Sequence, residues 1–598
     1  MKQRNIISNA LFSLTMIWKR DRFLFLLYIF NTFLSKIQPF ILIIFPKVLL
    51  DTLENTPYDY KKTTWIILIS VFITTIIVFL QRYTYGLTSI RFMTFRMEKK
   101  EQLSSKTMDI DFKYLEDPYI LDAYSRAIHS CTSWNTGMEG MLRATTELLL
   151  SIISAVGYIY ILVTLDWFIC LGLIVTCIIY HFIQAKINEI DVKYREEVST
   201  CTRKAQYYSD IMTEPGCGKE IRMFRINSFF LKKYKDVENN LIALRKSTLK
   251  EKRFLLAFST FIDFVNVAVF FSYLIFKATT KEINAGSFVM YITTFTNFST
   301  WFSEILSSIS ELIRTSKDTD DFRNIMDLPP IEDKNKVSID TIDSIEFCNV
   351  WFKYENATEF TLKNISFTIN KNESISLVGS NGSGKTTIVK LLCGFYFPTK
   401  GEILINNIPI QNLNRKSLYS QIAAIFQEIN IFAFSIAANV SLCDQSRIDE
   451  KKVVNSLKRA NLQKLLTKSL YGVHTIIQKI LDEDGIELSG GENQGIAISR
   501  AIYKDQTSMI IMDEPTSHLD ALMESRIYDT YNKIRNNRIS IFISHRLASA
   551  QFCDKVFFID NGIILGMDTH EYLLNSNDAY KKMYNIQANY YNEEENNS

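Results

Sequence analysis

The sequence predicts a chain of two unlike halves: an α-helical membrane half of six spans, followed by an α/β half. Three observations carry this. Long apolar segments crowd residues 1–317. A glycine-rich loop, Gly379 to Thr386, lies between a strand-like run (Ser374 to Val378) and a helix-like run (Ile388 to Leu392). A second apolar run, Met509 to Met512, ends in paired acids, Asp513 and Glu514. Across 598 residues the chain averages 47% hydrophobic and 22% charged, and that average hides the split between the halves. A net charge of +3 argues neither for nor against nucleic acid.

The six apolar segments fall near 23–49, 63–83, 145–165, 167–186, 254–276 and 286–309. Each is long enough for a bilayer core of about 30 Å, which takes ~20 helical residues. Short loops join the first and second, third and fourth, and fifth and sixth spans. Two long intervals, 84–144 and 187–253, separate the pairs and carry Arg91, Arg96, Lys99 and Lys100, then Arg222, Arg225, Lys232, Lys233 and Lys235. Dense positive charge places both intervals and both termini in the cytoplasm, as an even number of crossings requires. Lys2, Arg4, Lys19, Arg20 and Arg22 precede the first span without a small-residue cleavage site. Neither a cleaved signal peptide nor a domain ahead of that span is expected.

Polar residues interrupt the spans: Lys36 and Gln38, Asp263 and Asn266, Asn297 and Glu304. Such groups face a bundle interior or water, so they line a substrate cavity or serve packing and hydrogen bonding; both readings stand. Pro39 is placed to kink the first span. The nine cysteines are scattered singly, with no CxxC pair, which points to reduced structural thiols and to no metal site. Residues 318–342, with Pro329-Pro330, read as a linker, 343–585 as the α/β domain, and 586–598 as a polar, disordered tail.

The loop Gly379-Ser380-Asn381-Gly382-Ser383-Gly384-Lys385-Thr386 fits G-x-x-x-x-G-K-[ST] in a strand–loop–helix setting. Its glycines let backbone N–H groups turn inward around phosphates, and the following helix N-terminus adds positive potential. Lys385 reaches the β- and γ-phosphates of a nucleotide, and Thr386 ligands Mg²⁺. A strand delivering Asp513 and Glu514 at its C-terminal end supplies one acid for the metal and one to polarise attacking water. Three short blocks accompany them: Leu488-Ser489-Gly490-Gly491-Glu492 before a helical stretch, Ser517 to Asp520, and Ile543-Ser544-His545-Arg546.

In this order and spacing, residues 343–585 resemble the nucleotide-binding domain of ABC transporters, a P-loop NTPase. The whole chain resembles an ABC exporter half-transporter, with six transmembrane helices fused to that domain. The resemblance implies that Tyr354 stacks on adenine and that Gln427 touches Mg²⁺ or water. Thr387 joins the phosphate loop, Ser489, Gly490, Gly491 and Glu492 form a signature that meets the γ-phosphate held by an opposite subunit, and Asp520 is its D-loop aspartate. Glu514 is then the catalytic base, and His545 the switch histidine. The segments Glu116 to Ala127 and Tyr207 to Arg222 resemble the two coupling helices. Three positions depart from the family pattern: Glu492 where Gln is commoner, Gly495 where Arg or Lys is usual, and Asp484 in the segment before the signature.

The expectation is a multi-pass protein of the cytoplasmic membrane, surrounded by lipid, that binds ATP and Mg²⁺. One chain holds one phosphate loop and one signature, so the resemblance implies pairing with a second copy, or with a related half. Efflux of a peptide is the first reading and of an amphipathic drug or lipid the second. A regulator or channel that pumps nothing is the third, and six spans exclude a nucleic-acid-handling ATPase.

Overall fold

The computed structural model describes residues 3–54, 59–214, 216–331, 333, 336–355, 357–514, 535, 537–544 and 547–586. The chain forms two compact units. The first comprises the residues up to Asp109 together with Pro118–Leu328, and the second Ile110–Asp117 together with the chain from Pro329 onward.

The first unit is helical throughout. Its long helices are Arg22–Glu54, Tyr60–Met108, Gly137–Leu165, Trp167–Thr213, Asn227–Thr279 and Ala285–Met326. Acid and amide side chains start three of them at the tight loops. Asp59 accepts from the Lys61 and Lys62 backbone, Asp166 from Phe168, and Asn284 from Ser287. The helix Tyr60–Met108 holds 49 residues. At 1.5 Å per residue it runs about 70 Å, more than twice a bilayer core of about 30 Å. The long intervals are thus built largely from helical extensions of the spans.

Among the described residues, five helices are long and apolar enough to cross a membrane: Arg22–Glu54, Tyr60–Met108, Gly137–Leu165, Trp167–Ile187 and Asn227–Thr279. The sixth expected span, 286–309, lies on Ala285–Met326, whose threonines, Asn297 and Glu304 make it more polar. Its hydroxyls return to their own helix: Thr293 donates to the Val289 carbonyl at 2.8 Å and Thr294 to Met290 at 2.7 Å. Such internal bonds lower the cost of placing hydroxyls in an apolar setting.

Most of the other intramembrane polar groups also have partners. Lys36 pairs with Glu304 at 2.5 Å, Tyr180 donates to Asp263 at 2.6 Å, and Asn297 donates to the Thr293 carbonyl at 2.7 Å. The helices close on one another through Gly157, where a Cβ would stand 2.6 Å from the Phe40 ring, and through Trp301, whose indole N–H donates to the Ser151 carbonyl at 2.6 Å. Helix Ala285–Met326 continues without a break into the stretch expected as linker, because Arg323, Asp320 and Asn324 belong to the first unit's polar contacts with Arg4 and Asn9.

Among its described residues the second unit holds two sheets. Strands β1 (Ser344–Phe352), β2 (Leu362–Asn370), β4 (Lys400–Ile405) and β5 (Ile408–Pro409) form an antiparallel sheet in the order β2-β1-β4-β5. The larger sheet runs β10-β9-β3-β8-β7-β6, built from β3 (Ser374–Gly379), β6 (Ile422–Ile425), β7 (Met509–Asp513), β8 (Ile539–Ile543), β9 (Lys555–Asp560) and β10 (Ile563–Asp568). All its neighbours are parallel except β9 and β10. Strands β3, β7 and β8 are buried along their whole length, which is why they read as unbroken apolar runs instead of alternating ones. Strands β9 and β10 turn through Asn561 and Gly562, both at positive φ, the signature of a two-residue hairpin.

One difference from the sequence reading concerns the first coupling segment, expected over 116–127. Residues 118–130 form a helix of the first unit, and the part that joins the second unit is Ile110–Asp117, centred on the short helix Phe112–Leu115. Phe112 stacks on Phe395 with ring centres 4.8 Å apart, and Asp111 pairs with Arg415 at 2.5 Å. An aromatic plug and an ion pair decide the docking, and neither is visible as a periodic pattern. The second segment, expected over 207–222, is divided: Tyr207 lies on the helix that ends at Thr213, and Lys219 to Arg222 lie on the short helix Gly218–Met223.

Ile541 lies at the middle of β8, fully buried between β3 and β7. Ile541→Ala is expected to cost about 2–5 kcal/mol, read as a lower thermal transition of the purified full-length protein; an unchanged transition would count against this core.

Candidate functional site

The parallel strands β3, β6 and β7 all deliver their C-terminal ends to one rim of the large sheet, where ligands of open α/β sheets bind. Gly379 closes β3, Gln427 follows β6, and Asp513 and Glu514 close β7. A cavity of about 490 Å³ opens there, lined by Asn381, Gly382, Gly384, Lys385, Thr386 and Thr387 of the loop, with Gln427, Glu514 and Thr361. Thr361 was not legible from the motif.

The loop is shaped by two glycines. A Cβ on Gly379 would lie 1.9 Å from the Ile559 carbonyl oxygen, and Gly384 takes φ +104, where side chains are strained. The turn between β9 and β10 supports the loop from behind. Ser380 donates to Asp560 at 2.7 Å, and the Gly562 N–H donates to the Ser383 carbonyl at 3.2 Å. The Asp560-Asn561-Gly562 turn is a hairpin signal in sequence, but its role as a buttress is not.

Lys385 is buried, and its ammonium donates to the Gly379 carbonyl at 2.9 Å and the Ser380 carbonyl at 2.8 Å. Burial lowers its pKa, against the opposing pull of Glu514 and Asp513. Two neutral carbonyls hold this cation over the cavity, a poised donor for phosphate oxygens. Ser383 adds a buried hydroxyl with no hydrogen-bond partner among the described residues.

Asp513 is buried, and its carboxyl is pushed up to about 6, first by burial and then by Glu514, with Lys385 and the Thr386 hydroxyl pulling the other way. A carboxylate kept this dry, beside the Thr386 hydroxyl, with the Gln427 amide lining the same cavity as that threonine, is a donor set for a hard, oxygen-seeking cation. Thr386, Asp513 and Gln427 therefore fit Mg²⁺. Among the described residues no cluster of three His, Cys, Asp or Glu side chains forms any other metal site. Glu514 sits at φ 49, a strained backbone held by its own N–H donating to the Ile543 carbonyl at 3.0 Å. Gln427 donates to the Glu514 carboxylate at 3.2 Å.

Tyr354 does not line this cavity. It lines a separate one of about 240 Å³ with Glu355, Tyr396 and Lys113, and its hydroxyl lies 3.2 Å from the Thr387 hydroxyl. That bond ties the expected adenine stacker to the loop's last threonine. The signature is also elsewhere: Ser489, Gly490, Gly491 and Glu492 begin the helix Gly490–Tyr503, and none lines the phosphate-loop cavity. The departure at Glu492 has a structural role. Its carboxylate accepts from the Ser489 N–H at 2.8 Å while Ser489 Oγ accepts from the Glu492 N–H at 3.3 Å, a reciprocal capping box. Gly495 is buried against Leu462, where a Cβ would stand 2.8 Å from the leucine side chain. Asp484 accompanies a turn in which its N–H donates to Asp482 at 3.0 Å. Asp520 and His545 lie outside the described residues.

Residues 362–517 match the ABC transporter family. The chain is 29% identical to the subtilin transport ATP-binding protein SpaT of Bacillus subtilis over 488 residues, spanning 81% of this chain and 78% of that protein. It is 34% identical over 264 residues to an ATP-dependent lipid A-core flippase of Haemophilus influenzae, 44% of each chain. A bacterial Atm1-family ABC exporter solved with ATP bound shares the fold, with a TM-score of 0.75 at 20% identity over 94% of this chain and 98% of that one.

Two outcomes are expected. Since Asp513 binds its proton more tightly folded than unfolded, it destabilises the fold as pH rises from about 4 through about 6. Asp513→Asn should therefore stabilise the nucleotide-free protein at pH 7.5 by about 1–3 kcal/mol, with the gain gone by pH 4. Thermal scans at the two pH values check this, and a loss of stability at pH 7.5 would contradict it. Gly495→Arg, which restores the family residue, should cost about 1–3 kcal/mol by driving Leu462 from its place; the same scans would show no shift if the helix has room.

Proposed function

We infer that this chain, which carries an ABC transporter ATPase domain on an exporter fold, is one half of a dimeric pump that drives a peptide out across the cytoplasmic membrane. The observation that carries the reading is the convergence of Lys385, Thr386, Gln427, Asp513 and Glu514 at one strand rim, with the signature Ser489 to Glu492 apart from it. A complete nucleotide site then takes its signature from a second subunit. The simplest partner is a second copy, because this chain holds both the phosphate loop and the acid.

Lys385 and the loop N–H groups bind the β- and γ-phosphates of ATP. Thr386, Asp513 and Gln427 would hold Mg²⁺, which would neutralise charge on the phosphate oxygens. Glu514 accepts a hydrogen bond from the attacking water and orients it in line, with Gln427 keeping the carboxylate in place. His545 stabilises charge developing on the transferred phosphoryl group. Closure of two such sites draws the ATPase domains together and turns the membrane cavity outward. The basic long intervals put both termini and the ATPase domain on the cytoplasmic side.

The peptide reading rests on the likeness to a subtilin transport protein over four fifths of the chain. A lipid substrate is the second reading, supported by the higher identity to a lipid A-core flippase over a shorter stretch. A drug substrate or a non-pumping regulator has no specific support.

Glu514→Gln should bind ATP but lose at least about 99% of turnover, trapping a closed dimer, as expected when a general base is removed; normal turnover would refute Glu514 as the base. Lys385→Ala should weaken ATP binding instead. Cysteines placed at Ser489 and Ser380 should cross-link between subunits only with ATP present. The deciding assay is ATP-driven uptake into inside-out vesicles offered peptides, lipids and dyes, with Glu514→Gln vesicles as the blank. Selective peptide retention supports the first reading, lipid retention the second, and ATP consumption without any uptake overturns both.

A further inference from the structure

The helix Lys385–Leu392 carries a second lysine near its other end, and the phosphate chemistry does not use it. The Lys390 ammonium stands 2.6 Å from Glu116. It also lies 5.6, 5.8 and 5.9 Å from the ring centres of Tyr354, Tyr396 and Phe112. One cation is thus enclosed by three aromatic rings and one carboxylate. Tyr396 donates its hydroxyl to the other oxygen of Glu116. Burial alone would raise the Glu116 carboxyl, but its bonds to Lys390 and Tyr396 and the lysine charge outweigh this and hold it below its ordinary value. Glu116 is therefore ionised at neutral pH and pins Lys390 where the rings can share its charge.

Tyr354 is the member of this cage with a second attachment, its hydroxyl bond to Thr387 of the phosphate loop. Lys390 beside the ring and Thr387 at the hydroxyl restrict a side chain that would otherwise rotate. We propose that Lys390, held by Glu116, is a positioning residue for the nucleotide base: it fixes the Tyr354 ring for stacking and ties base binding to the docking of residues 110–117. The proposal rests on Tyr354 as the adenine stacker. Pre-ordering the ring removes part of the entropy loss that binding would otherwise carry. By linkage, whatever docked Ile110–Asp117 adds to base affinity, a bound base returns to the docking.

The test is calorimetric titration of the purified full-length Glu514→Gln protein with two probes, ATP and inorganic tripolyphosphate, which has phosphates but no base. Lys390→Met and Glu116→Gln should each weaken ATP about threefold to tenfold, the range of one cation–π contact or ion pair, and leave tripolyphosphate unchanged. The double variant should lose no more than either single one, and Lys390→Arg should retain most of the ATP affinity. Tyr354→Ala separates the premise from the proposal. If it weakens ATP alone while Lys390→Met and Glu116→Gln bind ATP normally, the proposal is overturned and the stacking role survives. If Tyr354→Ala binds ATP normally, the stacking role itself fails and the proposal with it. Equal weakening of ATP and tripolyphosphate in Lys390→Met would mean that the lysine only props up the helix, which also overturns the proposal.

Discussion

The ATPase domain is organised around a buried ammonium. Lys385 sits in a dry loop with two backbone carbonyls as its close partners, and that arrangement is tolerable only if the loop cannot relax. The surrounding fold supplies the rigidity. Gly379 allows the loop to pass against the β9 backbone, the turn between β9 and β10 bonds the loop from behind, and β3 lies between β8 and β9 within a buried parallel sheet. Opposite the lysine stand Asp513, short of water, and Glu514, on a strained backbone. Each of these groups is held in a state less favourable than it would reach in solvent.

The same economy appears in the membrane half, by different means. Hydroxyls along Ala285–Met326 bond back to their own helix, and charged or phenolic groups pair between helices, as Lys36 does with Glu304 and Tyr180 with Asp263. Polar side chains in the spans are therefore mostly satisfied within the unit. Asp263 accepts from Tyr180 and Asn297 donates to the Thr293 carbonyl, so both make hydrogen bonds within the unit. Lys36 and Glu304 form a charged pair that keeps part of its surface exposed.

Much of this is legible in the sequence. The phosphate loop, the paired acids and the six apolar segments are local patterns, and local patterns survive in a single sequence because they reflect one strand, one turn or one helix at a time. The residues that line the nucleotide cavity came mostly from those blocks. Thr361, the Asp560 buttress and the Lys390 cage did not, since each works through partners far away in the chain. The docked segment Ile110–Asp117 overlaps the expected one, Glu116 to Ala127, only at Glu116 and Asp117. Its contacts are a stacked Phe112–Phe395 pair and an Asp111–Arg415 ion pair, which carry no period that a sequence window could detect.

What the sequence by itself determined is the chemistry: a nucleotide loop of defined residue types, a strand ending in two acids, and a membrane half with two long basic intervals. Those follow from side-chain identity and hydrophobic period, which act over a few residues. Only the tertiary structure decided that Gln427 reaches Glu514, that Tyr354 lies apart from the phosphate cavity but is tied to it through Thr387, and that Glu492 caps its own helix. The physical reason is distance along the chain. Those contacts exist because sheet order and register bring remote strand ends together, and register is fixed by burial of whole strands and not by any residue taken alone.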